Sequence, residues 1–92
     1  MQAERRRSMR YKYIHFIERK PEKPRKTKMW ECRNNKSNFC LGEVAWYSSW
    51  RQYCFEPPFE PVVFSASCLA DIIDFLDKQN KGYRKPKGEE KV

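Results

Sequence analysis

Glycine is scarce in this chain: its 92 residues hold only Gly42, Gly82 and Gly88. They are too far apart to build a glycine-rich loop that cradles a nucleotide phosphate. Histidine is scarcer, with His15 alone. A Cys–His nucleophile pair needs that imidazole beside a thiol and a third group to orient it, and nothing in the spacing brings them together. The four cysteines, Cys32, Cys40, Cys54 and Cys68, contain no C-x2-C pair, so the usual zinc signature is missing. Glu31, Glu43 and Glu56 fall on separate segments with no acid–base spacing. No catalytic residue, metal ligand or cofactor is therefore expected, and the chain reads as a non-enzyme.

Long apolar runs are also missing. No stretch of about twenty apolar residues is present to span a bilayer. The basic start leads into no apolar signal core, so the expected address is cytoplasmic. Free thiols suit that compartment, although the four cysteines permit two disulfides arithmetically. Only 39% of the residues are hydrophobic, which predicts one small domain with an economical core. The aromatic content of 15% offsets this, because each ring buries roughly 150–250 Å².

What the chain has in excess is positive charge, unevenly placed. Residues 1–28 hold eleven Lys/Arg against three Glu. Residues 29–79 hold four basic groups against seven acidic ones, and residues 80–92 hold five against two. A mildly acidic, aromatic-rich centre thus carries two basic arms. Such arms attract polyanions through phosphate contacts and counterion release.

Residues 1–10 read as a disordered basic arm. Residues 11–17, rich in aromatic and branched side chains, predict a strand. Pro21 and Pro24 make residues 20–28 a basic linker without regular structure. Residues 29–33, 39–47 and 50–55 read as further strands. Between them lie a turn at residues 34–38 and a tight turn at Ser48-Ser49. Residues 56–61 form a rigid proline loop that launches a short strand at residues 62–64. Ser65 or Ser67 then caps a helix whose stripe of Cys68, Leu69, Ile72, Ile73, Phe75 and Leu76 has helical spacing. Lys78 lies one turn beyond Asp74, and Gly82 is a natural stop.

The expected fold is α+β. It comprises an antiparallel β-sheet of four to five short strands with one C-terminal helix packed on one face, flanked by basic disordered termini. The domain spans residues 11–80, with the linker inside it and a basic tail at residues 81–92. The sheet face away from the helix is expected to be partly solvated.

Two runs carry a resemblance. Trp46-Tyr47-Ser48-Ser49-Trp50-Arg51-Gln52-Tyr53 and Val63-Phe64-Ser65-Ala66-Ser67-Cys68-Leu69-Ala70-Asp71-Ile72 are similar to segments of a group of small phage and prophage proteins. The resemblance covers residues 11–79. It implies a mobile-element origin, and hence the cytoplasm of a host cell, and it supplies no site residues.

Three surfaces are candidates for contact with a partner. Arg5, Arg6, Arg7, Arg10 and Lys12 form one basic cluster, and Lys20, Lys23, Arg25, Lys26 and Lys28 a second. Arginine grips a phosphate with paired hydrogen bonds, so both clusters predict phosphate contacts. Tyr47, Arg51 and Tyr53, if exposed on the sheet, can stack on unpaired bases or anchor a protein partner. Trp30, Trp46 and Trp50 read instead as core. Asp71, Asp74 and Asp77 make an acidic helix face, usually a solvated one. The expectation is a protein that binds nucleic acid or a ribonucleoprotein through basic arms and an aromatic sheet face. The alternative is an inhibitor of a host defence nuclease, of the anti-CRISPR type. No membrane contact is expected, and the oligomeric state is left open.

Overall fold

The structure, a computed structural model, describes residues 8–83. Arg5, Arg6, Arg7 and the tail beyond residue 83 lie outside the described residues. In chain order the elements are β1 (Ser8–Arg10), β2 (Ile14–Arg19), β3 (Met29–Asn34), β4 (Cys40–Tyr47), β5 (Gln52–Glu56) and α1 (Ala66–Tyr83). The strands form one antiparallel sheet in the order β1-β2-β3-β4-β5, and α1 lies on one face. Every spatial neighbour is a sequence neighbour, so each connection is a hairpin.

The apolar alternation of the strands decides which face is covered. Phe16 opposes Cys32, Cys32 opposes Gly42, Trp30 opposes Val44, Val44 opposes Phe55, and Trp46 opposes Tyr53. These side chains share the helix-facing side, because side chains alternate faces along a strand. From α1, Ile72 and Phe75 close the core. The Phe75 ring stacks on Phe16 with centroids 3.9 Å apart and meets Trp30 edge-on at 5.2 Å. The helix starts where expected: the Ser65 hydroxyl accepts the Cys68 amide at 3.2 Å. Lys78 donates to Asp74 at 2.9 Å, one turn away.

Three expected elements differ. The presumed arm supplies a strand, since β1 pairs with β2 through Ser8–Ile17, Met9–Phe16 and Arg10–His15. Its Met9 packs against the core, which rewards the pairing. Residues 62–64 form no strand despite their branched side chains. Pro57, Pro58 and Pro61 precede them, and proline offers no amide to a ladder. The helix runs through Gly82 to Tyr83 rather than stopping at it.

A bulge sits at the centre of the sheet. Cys32 opposes Gly42 while Arg33 opposes Cys40, which makes Leu41 the extra residue on β4. Leu41 turns into the core. The four cysteines are unpaired, and burial, with smaller contributions from Cys40 and Cys68, pushes the Cys32 thiol up to about 12. Among the described residues, no helix is long and apolar enough to cross a membrane.

The edge of β5 is closed by a side chain. The Tyr53 amide donates to Asn80 Oδ1 at 2.7 Å, and Asn80 Nδ2 donates to the Tyr53 carbonyl at 3.3 Å. One side-chain amide thereby imitates a neighbouring strand. Asn80→Leu should cost about 1–3 kcal/mol, because the Tyr53 amide loses its partner. It should also open the edge to self-pairing. Urea denaturation measures the first effect, and light scattering against concentration the second.

Candidate nucleic-acid interface

The hairpin order brings the basic 20–28 loop and the aromatic 48–51 turn to one end of the sheet. β2 finishes at Arg19, opposite Met29 at the start of β3. β4 finishes at Tyr47, opposite Gln52 at the start of β5. Two strands that run in the same direction thus deliver the 20–28 loop and the 48–51 turn to the same end. The last turns of α1 return there, as the Asn80–Tyr53 clamp shows. The chain also enters β1 from this side, with Ser8 opposite Ile17.

The loop is anchored at its exit. The Lys28 amide donates to the Tyr53 hydroxyl at 3.2 Å, which ties the loop to β5. Arg25 is held by Thr27 Oγ1 at 3.2 Å and Met29 Sδ at 3.3 Å. Neither acceptor is charged, so the guanidinium keeps its capacity for an anion. The Lys28 ammonium lies 3.9 Å from Glu18. Among the described residues, Lys20, Lys23, Arg25 and Lys26 have no carboxylate partner. An open cavity of about 540 Å³ lies inside the loop, lined by Lys20, Glu22, Lys23, Arg25 and Thr27 among others.

The turn beside it presents two rings. Tyr47 and Trp50 are 47% and 66% exposed. Their rings meet edge-to-face, 5.0 Å between centroids. The Tyr47 carbonyl accepts the amides of Trp50 and Arg51 at 3.1 and 2.8 Å, which fixes the turn. Arg51 sits at a φ of 53° with its side chain exposed.

Several expected site residues are placed elsewhere. Tyr53 is only 5% exposed, so it is no contact residue. Its ring packs edge-on against Trp30 and Trp46 on the helix side. Trp50, expected in the core, is exposed because it lies in the turn, outside the alternation of either strand. Trp30 is buried, and Trp46 packs against the core. Arg10 and Lys12 belong to the opposite end. There Asn35 Nδ2 donates to the carbonyls of Tyr11 and Lys12 at 2.8 and 3.1 Å. Arg10 and Lys12 therefore do not share a surface with the 20–28 loop.

Apart from Tyr47 at the end of β4, the open sheet face is not aromatic either. Trp30, Trp46, Tyr53 and Phe55 all turn to the helix side. The open face carries ion pairs instead: Arg19 reaches Glu31 at 3.4 Å and Glu43 at 3.1 Å, and Arg33 lies 2.6 Å from Glu31. Glu31, Glu43 and Glu56 stand side by side across three strands, a row that segment-by-segment reading misses. Like charges directly opposite are unfavourable, and the two arginines offset this at Glu31 and Glu43. Among the described residues, no group of three or more His, Cys, Asp or Glu is arranged to hold a metal ion.

His15 lies on this face too, buried between Arg10 and Arg33, with Nδ1 2.6 Å from Asn35 Oδ1. On the helix, Asp74 is engaged by Lys78 and by the Tyr11 hydroxyl, which donates at 2.8 Å. These two hydrogen bonds, Lys78 first, hold its carboxyl below the usual range. Burial, reinforced by Asp74, raises the Tyr11 hydroxyl. The acidic helix face is thus partly spent on internal contacts.

Compared with known proteins, the chain matches no family model, no curated protein and no solved structure. The functional reading therefore rests on the geometry of this basic, aromatic end.

Proposed function

We propose that this is a non-enzymatic accessory protein, of phage or prophage type, that acts in the host cytoplasm. It binds nucleic acid or a nucleoprotein complex at the end of the sheet formed by the 20–28 loop and the 48–51 turn. The observation that carries this reading is the set of four loop cations that have no carboxylate partner among the described residues, beside the exposed Tyr47, Trp50 and Arg51. Phosphates are the polyanion chemistry that such a set attracts, and base rings are what an adjacent aromatic pair receives.

A charge-matched pair of variants tests this. Lys20→Gln/Lys23→Gln/Arg25→Gln removes three charges at the proposed end, and Arg10→Gln/Lys12→Gln/Lys36→Gln removes three at the other. The first should weaken oligonucleotide binding and flatten the salt dependence by about one unit of slope per lost contact. The second should change little. Equal effects would mean that net charge alone, and no located site, drives binding.

A second reading has its own support. A groove of about 360 Å³ between β5 and α1 is lined by Trp50, Phe55, Ile73, Leu76 and Asp77 among others. Trp50 and Ile73 are exposed there. Such a groove suits a protein contact, as an inhibitor of a host defence nuclease needs. A stoichiometric protein partner that survives nuclease treatment of a host lysate would favour this reading.

A further inference from the structure

We infer that the ligand at this end is single-stranded, with Trp50 as the platform for one unpaired base and the Arg25 loop as the seat of a neighbouring phosphate. This rests on the nucleic-acid reading above and narrows it.

Three observations support the inference. The first is the placement of Trp50. Its ring contributes nothing to the buried core, yet it packs edge-on against Tyr47 and is carried by a hydrogen-bonded turn. An exposed indole offers a π-face, which every base can stack on. In a duplex those faces are already occupied, and freeing one costs a few kcal/mol of unstacking.

The second is the shape of the surroundings. A two-stranded ribbon can enter a major groove only if it projects freely. The β4–β5 hairpin does not project, because β5 is clamped to α1 by Asn80 and the turn borders the groove against Ile73 and Leu76.

The third is the size and position of the charge. Among the described residues, the cations without carboxylate partners at this end form a set in one loop, not a long stripe along an element. β3 and β5 are two strand spacings apart, or about 10 Å. The loop joined to β3 and the turn joined to β5 therefore lie within reach of adjacent nucleotides. Lys81, exposed near the end of α1, adds a further cation at this end.

The test compares a labelled oligothymidylate with a duplex of the same length, by fluorescence anisotropy at matched salt. The wild-type protein should bind the single strand at least about tenfold more tightly than the duplex. Trp50→Ala should lose roughly 5- to 150-fold of single-strand affinity, while Trp50→Phe should keep most of it. Its melting curve should match the wild type, which separates lost stacking from lost folding. Lys36→Ala, at the opposite end, should leave single-strand affinity unchanged. Duplex binding equal to or tighter than single-strand binding, or a harmless Trp50→Ala, would overturn the inference while leaving the nucleic-acid reading intact. Failure of both ligands to bind at low salt would overturn both.

Discussion

Phe75→Ala should remove about 3–5 kcal/mol of stability, the cost of emptying a fully buried phenylalanine site. Among the described residues, the buried hydrophobic core consists of nine side chains, and only Ile72 and Phe75 come from the helix. Phe75 lies against Phe16 at 3.9 Å and Trp30 at 5.2 Å, so it links α1 to two central strands at once. The surrounding rings are stiff and lie on a hydrogen-bonded sheet, so the site collapses poorly. A domain of this size has total stability near the low end of the usual range, about 5 kcal/mol. The variant should therefore be largely unfolded or have its helix detached. Urea denaturation followed by tryptophan fluorescence measures this directly, since Trp30 touches the lost ring. A loss below about 1 kcal/mol would mean that the helix is held by other contacts.

Gly42→Ala should have a comparable effect for a different reason. Gly42 sits at a φ of +150°, where an L side chain is strained. A Cβ there would lie 2.4 Å from Phe55 Cζ and 2.7 Å from the Glu56 carbonyl oxygen. The Phe55 ring can rotate away. The Glu56 carbonyl is main chain in the β4–β5 ladder, so the ladder itself must shift. Backbone strain of about 1–3 kcal/mol and overpacking of about 1–3 kcal/mol add in the same direction. Gly82 is the internal control, because an added Cβ there meets nothing within 4 Å. Gly82→Ala, in the last turn of α1, should be neutral or stabilising by up to about 1 kcal/mol. If both variants melt alike, the close approach at the bulge does not constrain the sheet.

The contrast between these two glycines shows what the sequence conveys. Strands β2 to β5 and helix α1 are legible because alternation and helical spacing are local signals. Ile14 and Phe16 declare a buried face of β2, and Ile72 and Phe75 declare one of α1. The bulge at Leu41 is not legible, because it is defined by what lies across from it on β3. Nor is β1 legible: Ser8-Met9-Arg10 has no strand pattern of its own and depends on the edge that β2 offers. Residues 62–64 carry a local signal that the prolines before them override.

The candidate interface divides along the same line. The cations of the 20–28 loop are visible as composition. Their meeting with Trp50 depends on hairpin order, which places alternate connections at the same end. Trp50 loses its expected place because the turn is longer than a two-residue Ser48-Ser49 link. Trp50 and Arg51 fall within it, and β5 begins at Gln52. Tyr53 opposes Trp46 and so shares its helix-facing side, which a two-residue turn would give it as well, since a shift of two residues keeps the face.

Binding at one end of the sheet, as proposed above, is open to direct measurement. The most direct measurement is a backbone amide NMR titration with a short single-stranded oligonucleotide. Amides of residues 20–28 and 48–51 should shift together and saturate at the same ligand concentration. The turn at residues 34–38 and its neighbour Lys12 should stay unmoved. Shifts confined to that opposite end, or to β5 and α1 around Ile73 and Leu76 without the loop, would contradict it.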